Sequence, residues 1–138
     1  MKYQYGERSA SRLETCHFDL QWVAREALAY GLTDLAVICG SRTDEEQHDY
    51  FVRGLSKLDA GDPRAKHNKP ISDAMDIAPW INGKISWNMK HCIFSAGIIL
   101  SAGIKLGIPL RWGGNWDMDG EIMTDQIFQD LVHFERVI

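Results

Sequence analysis

Four short apolar runs set the terms for any fold this chain can take: 34–39 (DLAVIC), 74–79 (AMDIAP), 108–112 (IPLRW) and 131–137 (LVHFERV). Each has the length of a strand and is too short for a helix that buries a face of its own. Between them lie stretches of helical periodicity. Ser9–Tyr30 places Leu13, Phe18, Leu20, Val23, Ala24 and Leu28 near helical spacing and stops at Gly31. Residues 88–106 form a second long helix, weakened or ended by Gly97, Gly103 and Gly107, and Thr43 caps a shorter polar one, DEEQHDYFVRGL. Asn82-Gly83 marks a tight turn, and Pro79 is expected to end the second strand. Helices and strands alternate irregularly, without the regular βαβ rhythm of a parallel sheet. The predicted class is therefore α+β, a small antiparallel sheet with helices packed on one side.

The 138 residues show no internal repeat and no linker, so a single domain over 1–138 is expected. A chain of this size can bury enough surface to fold without a metal or disulfide, so a metal would be there for chemistry. The formal charge of −4 argues against nucleic acid as a partner. No uninterrupted apolar run approaches the ~18 residues of a membrane helix, so membrane insertion is not expected. The start, MKYQYGERSASRLE, lacks an apolar signal core, which predicts synthesis in the cytoplasm without an export signal. Cys16, Cys39 and Cys92 are isolated among apolar neighbours and read as small buried hydrophobes.

Two long loops, 56–72 and 113–126, flank the candidate chemistry. His67 lies in the first, nine positions before Asp76, and His133 lies in the last strand, three after Asp130. Two imidazoles and one carboxylate with an open fourth position match a catalytic zinc pattern. Strand parity puts Asp76 on one face with Ala74 and Ala78, whose small side chains would leave room for an ion, and sends Met75 and Ile77 to the other. His133 shares a face with Leu131, Glu135 and Val137; Asp130 has the opposite parity and must sit on a bend ahead of the strand to join it. Spacing alone leaves the plain alternative open: a surface histidine in a loop and a half-buried histidine in a strand.

Other residues invite two readings each. Glu135 can orient a ligand by hydrogen bond or be a solvated charge. Trp80, Trp87, Trp112 and Trp116 can wall a cleft or pack in the core. Asn115, Asp117 and Asp119, followed by Gly120 and by Gln126 at the twelfth position, imitate the opening of a calcium loop without its usual glutamate. A polar turn accounts for the same residues.

The segments GSRTDEEQ, KHNKPISDAMDIAPWINGKISWN, LRWGGNWD and DLVHFERV, in this order, resemble the zinc D-alanyl-D-alanine carboxypeptidase and L-alanyl-D-glutamate endopeptidase family, above all the single-domain phage endolysins. The likeness spans nearly the whole chain. It implies that family's hedgehog-like fold, zinc held by His67, Asp76 and His133, Asp130 as general base and Arg42 beside the scissile carbonyl. Gln47 would support the cleft, with Glu135, Trp80 and Trp116 beside the substrate. Ala65 and Ser72 stand where the family has serine and glycine, and the loop between His67 and Ser72 is two residues longer. The implied activity is hydrolysis of the L-Ala–D-Glu bond of the peptidoglycan stem peptide by a monomer released from the host cytoplasm through a holin. Cleavage of D-Ala-D-Ala and a catalytically silent wall-binding domain are the alternatives.

Overall fold

The computed structural model describes residues 2–138. Its elements run α1 (Glu7–Glu14), α2 (Phe18–Ala29), β1 (Leu35–Cys39), α3 (Asp44–Val52), β2 (Ala74–Ile81), β3 (Lys84–Ile85), α4 (Met89–Leu106), β4 (Leu110–Gly113) and β5 (Asp130–Arg136). The sheet has the order β1-β2-β5-β4, with β3 paired to the far end of β2, and every ladder is antiparallel. This is the α+β architecture expected from the irregular alternation.

Strand parity separates the two faces of the sheet. Met75, Ile77, Leu110, Trp112 and Phe134 turn toward Leu13, Leu20, Val23, Ala96 and Ile99 of the helices and form one core. Each such side chain, fully buried, stabilises the fold by roughly 1.5–3 kcal/mol. Asp76, His133 and Glu135 alternate with these residues, and β2 and β5 pair so that Asp76 lies directly opposite His133. Helix α1 covers the free edge of β1: Ser9 Oγ accepts from Val37 N at 3.0 Å and Arg12 Nη1 donates to Val37 O at 3.1 Å. Those bonds satisfy an edge that would otherwise be open to another strand.

Three expectations need correction, and one helix adds to what the apolar runs announced. The first helix is two helices, because Thr15, Cys16 and His17 leave the helical path to meet Ser72: Ser72 N donates to Thr15 O and His17 N to Ser72 O. His17 then caps α2, its Nδ1 accepting from Asp19 N at 3.1 Å. Pro79 does not end β2. The Trp80 N–H donates to Asp34 O, so Pro79, opposite Leu35, occupies a position where no N–H is needed by the β1 ladder. The alanines beside Asp76 do not frame an open space; Ala78 is fully buried against Cys92 and Val132. Finally, α4 has the length, 18 residues, and the apolar content of a membrane span, although no unbroken apolar run announces it. Its Cys92, Ser95, Ala96, Ile99 and Ala102 are buried within the protein.

Candidate active site

Three donor atoms from three parts of the chain meet on the sheet face opposite the core formed with α1, α2 and α4, the face to which α3 brings Gln47. His67 Nε2 lies 3.0 Å from Asp76 Oδ1 and 3.1 Å from His133 Nδ1, and His133 Nδ1 lies 3.3 Å from Asp76 Oδ1. Ligands about 2.0–2.1 Å from a tetrahedral zinc stand roughly 3.3 Å apart, so this triangle has the size of one face of such a site. The outer nitrogens fix what the inner ones present. His67 Nδ1 donates to Gly40 O at 2.7 Å and His133 Nε2 donates to Glu135 Oε1 at 2.9 Å. Neutral His67 and His133 therefore both turn a lone pair toward the Asp76 carboxylate. A proton on His67 Nε2 satisfies this contact when no metal is bound; with both imidazoles neutral, the donor set of two imidazoles and a carboxylate suits zinc.

Local backbone features aim these groups. Gly40 passes so close to α1 that a Cβ would lie 2.2 Å from Thr15 Oγ1 and 2.3 Å from Arg12 O. Its carbonyl holds His67, and the next turn locks in place as Arg42 N donates to His67 O at 2.7 Å. A bulge in β1 brings Cys39 opposite Asp76. On β5 the ladder jumps: Trp112 faces Phe134, but the next residue, Gly113, faces Asp130. That irregularity overrides simple parity and turns Asp130 to the site, its carboxylate within 4.8 Å of donors from Asp76 and His133. A Cβ on Gly113 would sit 2.0 Å from Asp130 O, so only glycine permits the approach.

The charges follow from these contacts. Burial lowers the His67 pKa, but the adjacent Asp76 carboxylate outweighs it and raises it to about 10. Asp76 itself is held far below the carboxylate range, against burial, by His67 and His133. Burial and the charge of Asp76 raise Asp130 above an ordinary carboxylic acid, with His133, His67 and Arg42 opposing. Glu135 is lowered despite burial, through its bonds to His133 and to Arg111 Nη2 at 2.7 Å. Arg42 reaches to 3.6 Å from Asp76 Oδ2, donates to Gln47 Oε1 at 3.4 Å and stacks on Tyr50 at 4.4 Å. Gln47, 1% exposed, is fixed in turn by Ser56 Oγ and Leu58 O. A cleft of about 510 Å³ opens over these groups, with Leu58, Lys66, Trp116 and Phe128 among its walls.

The model of the family described as "Phage L-alanyl-D-glutamate peptidase" matches residues 1–137. The chain belongs to this family. It is 36% identical over 122 residues to the L-alanyl-D-glutamate peptidase of Escherichia phage T5, covering 88% of this chain and 87% of that protein. It is also similar to the crystal structure of the Serratia marcescens L-Ala D-Glu endopeptidase ChiX, with a TM-score of 0.76, 27% identity, and coverage of 97% of this chain and 90% of that one.

Within this phage peptidase family member, the residues singled out from sequence mostly converge. His67, Asp76, His133, Asp130, Arg42, Gln47 and Glu135 lie together, and Trp116 stands 5.4 Å from the His133 ring. Trp80 does not join them. It shares the parity of Asp76 but lies four residues along β2, about 13 Å away at strand rise, beside a hollow between β1 and α1. Trp112 is core, its Nε1 donating to Leu131 O. Asp73, close to Asp76 in sequence, is bound to Arg136 at 2.7 Å.

Asp117 and Asp119 gather on the exposed loop with Asp125, while Gln126 bonds to Trp116 N and Gly113 O. The calcium-loop reading thus loses its twelfth position, and nothing in the structure supports calcium there. Sequence reasoning also passed over three neighbours of the site. Cys39, read as a plain hydrophobe, has its Sγ within 4.8 Å of donors of His67 and Asp76. Tyr50 lies under Arg42, and Arg111 bonds Glu135. Only the position of Arg111, opposite Glu135 in antiparallel strands, could have been foreseen once the strands were aligned.

Proposed function

We propose that the chain is a zinc-dependent peptidoglycan peptidase that hydrolyses the L-Ala–D-Glu bond of the stem peptide, acting as a phage endolysin. The observation that carries this reading is the convergence of His67 Nε2, His133 Nδ1 and Asp76 Oδ1, with both imidazole tautomers set by outer hydrogen bonds. Zinc, when bound there, supplies Lewis acidity, polarising a carbonyl and lowering the pKa of water toward about 7. The protein supplies the rest. Asp130, half-buried and raised in pKa, is suited to hold a proton at its carboxylate and pass it to the departing amine. Arg42, steadied by Gln47 and Tyr50, offers a guanidinium to negative charge developing on the carbonyl oxygen. Glu135 keeps His133 in the tautomer that leaves Nδ1 free.

Kinship with a phage peptidase supports synthesis in the host cytoplasm and action on the wall after a holin opens the membrane. The test is digestion of purified peptidoglycan followed by mass analysis. Free L-alanyl ends on the glycan, with peptides released at D-glutamate, are expected; release of D-alanine alone would refute the assignment of the bond.

A further inference from the structure

We propose that Arg111 is the specificity residue of this cleft and receives the free α-carboxylate of the D-glutamate whose nitrogen is cut. The inference rests on the peptidase reading above and extends it to substrate recognition. The nitrogen of an L-Ala–D-Glu bond is attached to the glutamate α-carbon, and the stem peptide continues through the γ-carboxyl. The carbon next to the scissile nitrogen therefore carries a negatively charged carboxylate. Carrying it into a cleft already holding Asp76, Asp130 and Glu135 is unfavourable unless a cation waits there.

Of the four other cations that line the cleft, Arg42, Arg64 and Lys57 are already engaged, and Lys66, in the loop just before His67, is the rival that the test below separates. Arg42 is engaged by Asp76, Gln47 and Tyr50. Arg64 is tied to Asp62 by two side-chain bonds at the exposed rim. Lys57 lies over the Phe128 ring at 5.0 Å. Arg111 combines a fixed position with free donors. It stands on β4 opposite Glu135, bonds Glu135 Oε2 through Nη2 at 2.7 Å, and faces the Trp116 ring at 5.9 Å. Its side chain is nonetheless 41% exposed, and Nε and Nη1 have no hydrogen-bond partner among the described residues. Since the other oxygen of Glu135 bonds His133, one carboxylate separates Arg111 from a metal-ligating histidine. A guanidinium so held is preorganised to take a planar carboxylate beside the reacting bond.

The test compares two stem peptides identical except at this group, one with D-glutamate and one with its α-carboxamide, D-isoglutamine. The unmodified enzyme should prefer the carboxylate in kcat/KM by roughly 10- to 100-fold, the range of one charge-assisted hydrogen bond. In Arg111→Gln the loss should fall on the carboxylate substrate, bringing the ratio close to one, and Arg111→Lys should restore part of it. Bound zinc and the melting temperature are measured on each variant. An equal loss on both peptides would reduce Arg111 to a support for Glu135 and overturn the proposal. So would a preference that survives Arg111→Gln and disappears in Lys66→Met, or an unmodified enzyme that cuts both peptides equally. Failure to cut either peptide at L-Ala–D-Glu would instead remove the peptidase reading on which the inference rests.

Discussion

Two sets of neighbouring residues on the same pair of strands live by opposite rules. Met75, Ile77 and Phe134 face the helices, where burial is stabilising and no charge is present. Asp76, His133 and Glu135, one step away along the same backbone, are also buried but bring two carboxylates and an imidazole. The first set is favourable on transfer from water alone. The second is tolerable only because each polar atom has a named partner, and in the inner triangle the proposed zinc would be that partner. An alternation of two residues therefore separates what holds the protein together from what it does. The helix-facing residues can be judged by volume, whereas the cleft-facing ones must be judged by where each proton and lone pair goes.

The comparison can be broken most severely at the ligands. His67→Ala and His133→Ala should each abolish peptidoglycan cleavage and stoichiometric zinc binding while the helical circular dichroism persists. A full equivalent of zinc in both variants would dissolve the ligand assignment. Asp130→Asn should retain zinc and cost 10²–10⁴-fold in rate, because it removes only proton transfer. Loss of the metal in that variant would move Asp130 into the ligand set. On the other face, Phe134→Ala should destabilise the fold by about 3–5 kcal/mol in denaturant titrations. A loss below about 1 kcal/mol would mean the helix-facing side is not the principal core.

A subtler probe is pH. Metal-free folded protein holds a proton at His67 up to about 10, whereas an unfolded histidine releases it near 6.5. The associated stability is complete below about pH 6.5 and is lost as pH rises toward 10. Zinc needs the deprotonated imidazoles, so loading should strengthen over the first part of that range. Melting curves with chelator and with zinc should diverge as pH rises; parallel curves would contradict a shared cation. The smallest effect belongs to Trp80→Ala, expected to leave kcat/KM within about twofold, since Trp80 lies beside the hollow near α1 and not in the cleft.

What could be read from sequence was local. The Asp76 face follows from alternation, and the capping box of Thr43 and Glu46 is present as the residue types suggest. Asn88 and Gly107 bound α4 for equally local reasons: a side chain that accepts from Lys90 N, and a left-handed residue that ends the helix. The candidate ligands and base were legible through a family likeness, because spacing alone did not tell a ligand from an ordinary histidine. What escaped was set at a distance. The break at Cys16 depends on Ser72, and the aim of Asp130 depends on the jump in the β4–β5 ladder. The company kept by Cys39 and Trp80 depends on how far each strand runs before its partner changes.

Gly40 shows how far such a dependence reaches. Its α-carbon is wedged against the end of α1 while its carbonyl steers His67. One added methyl group would force α1 and β1 apart or swing that carbonyl, although neither movement touches substrate. If His67 holds the proposed zinc, metal affinity would thus be partly a gauge of how tightly a helix seats on the edge of a sheet. Variants selected for tighter zinc retention can be expected at this seam as readily as around the ligands themselves.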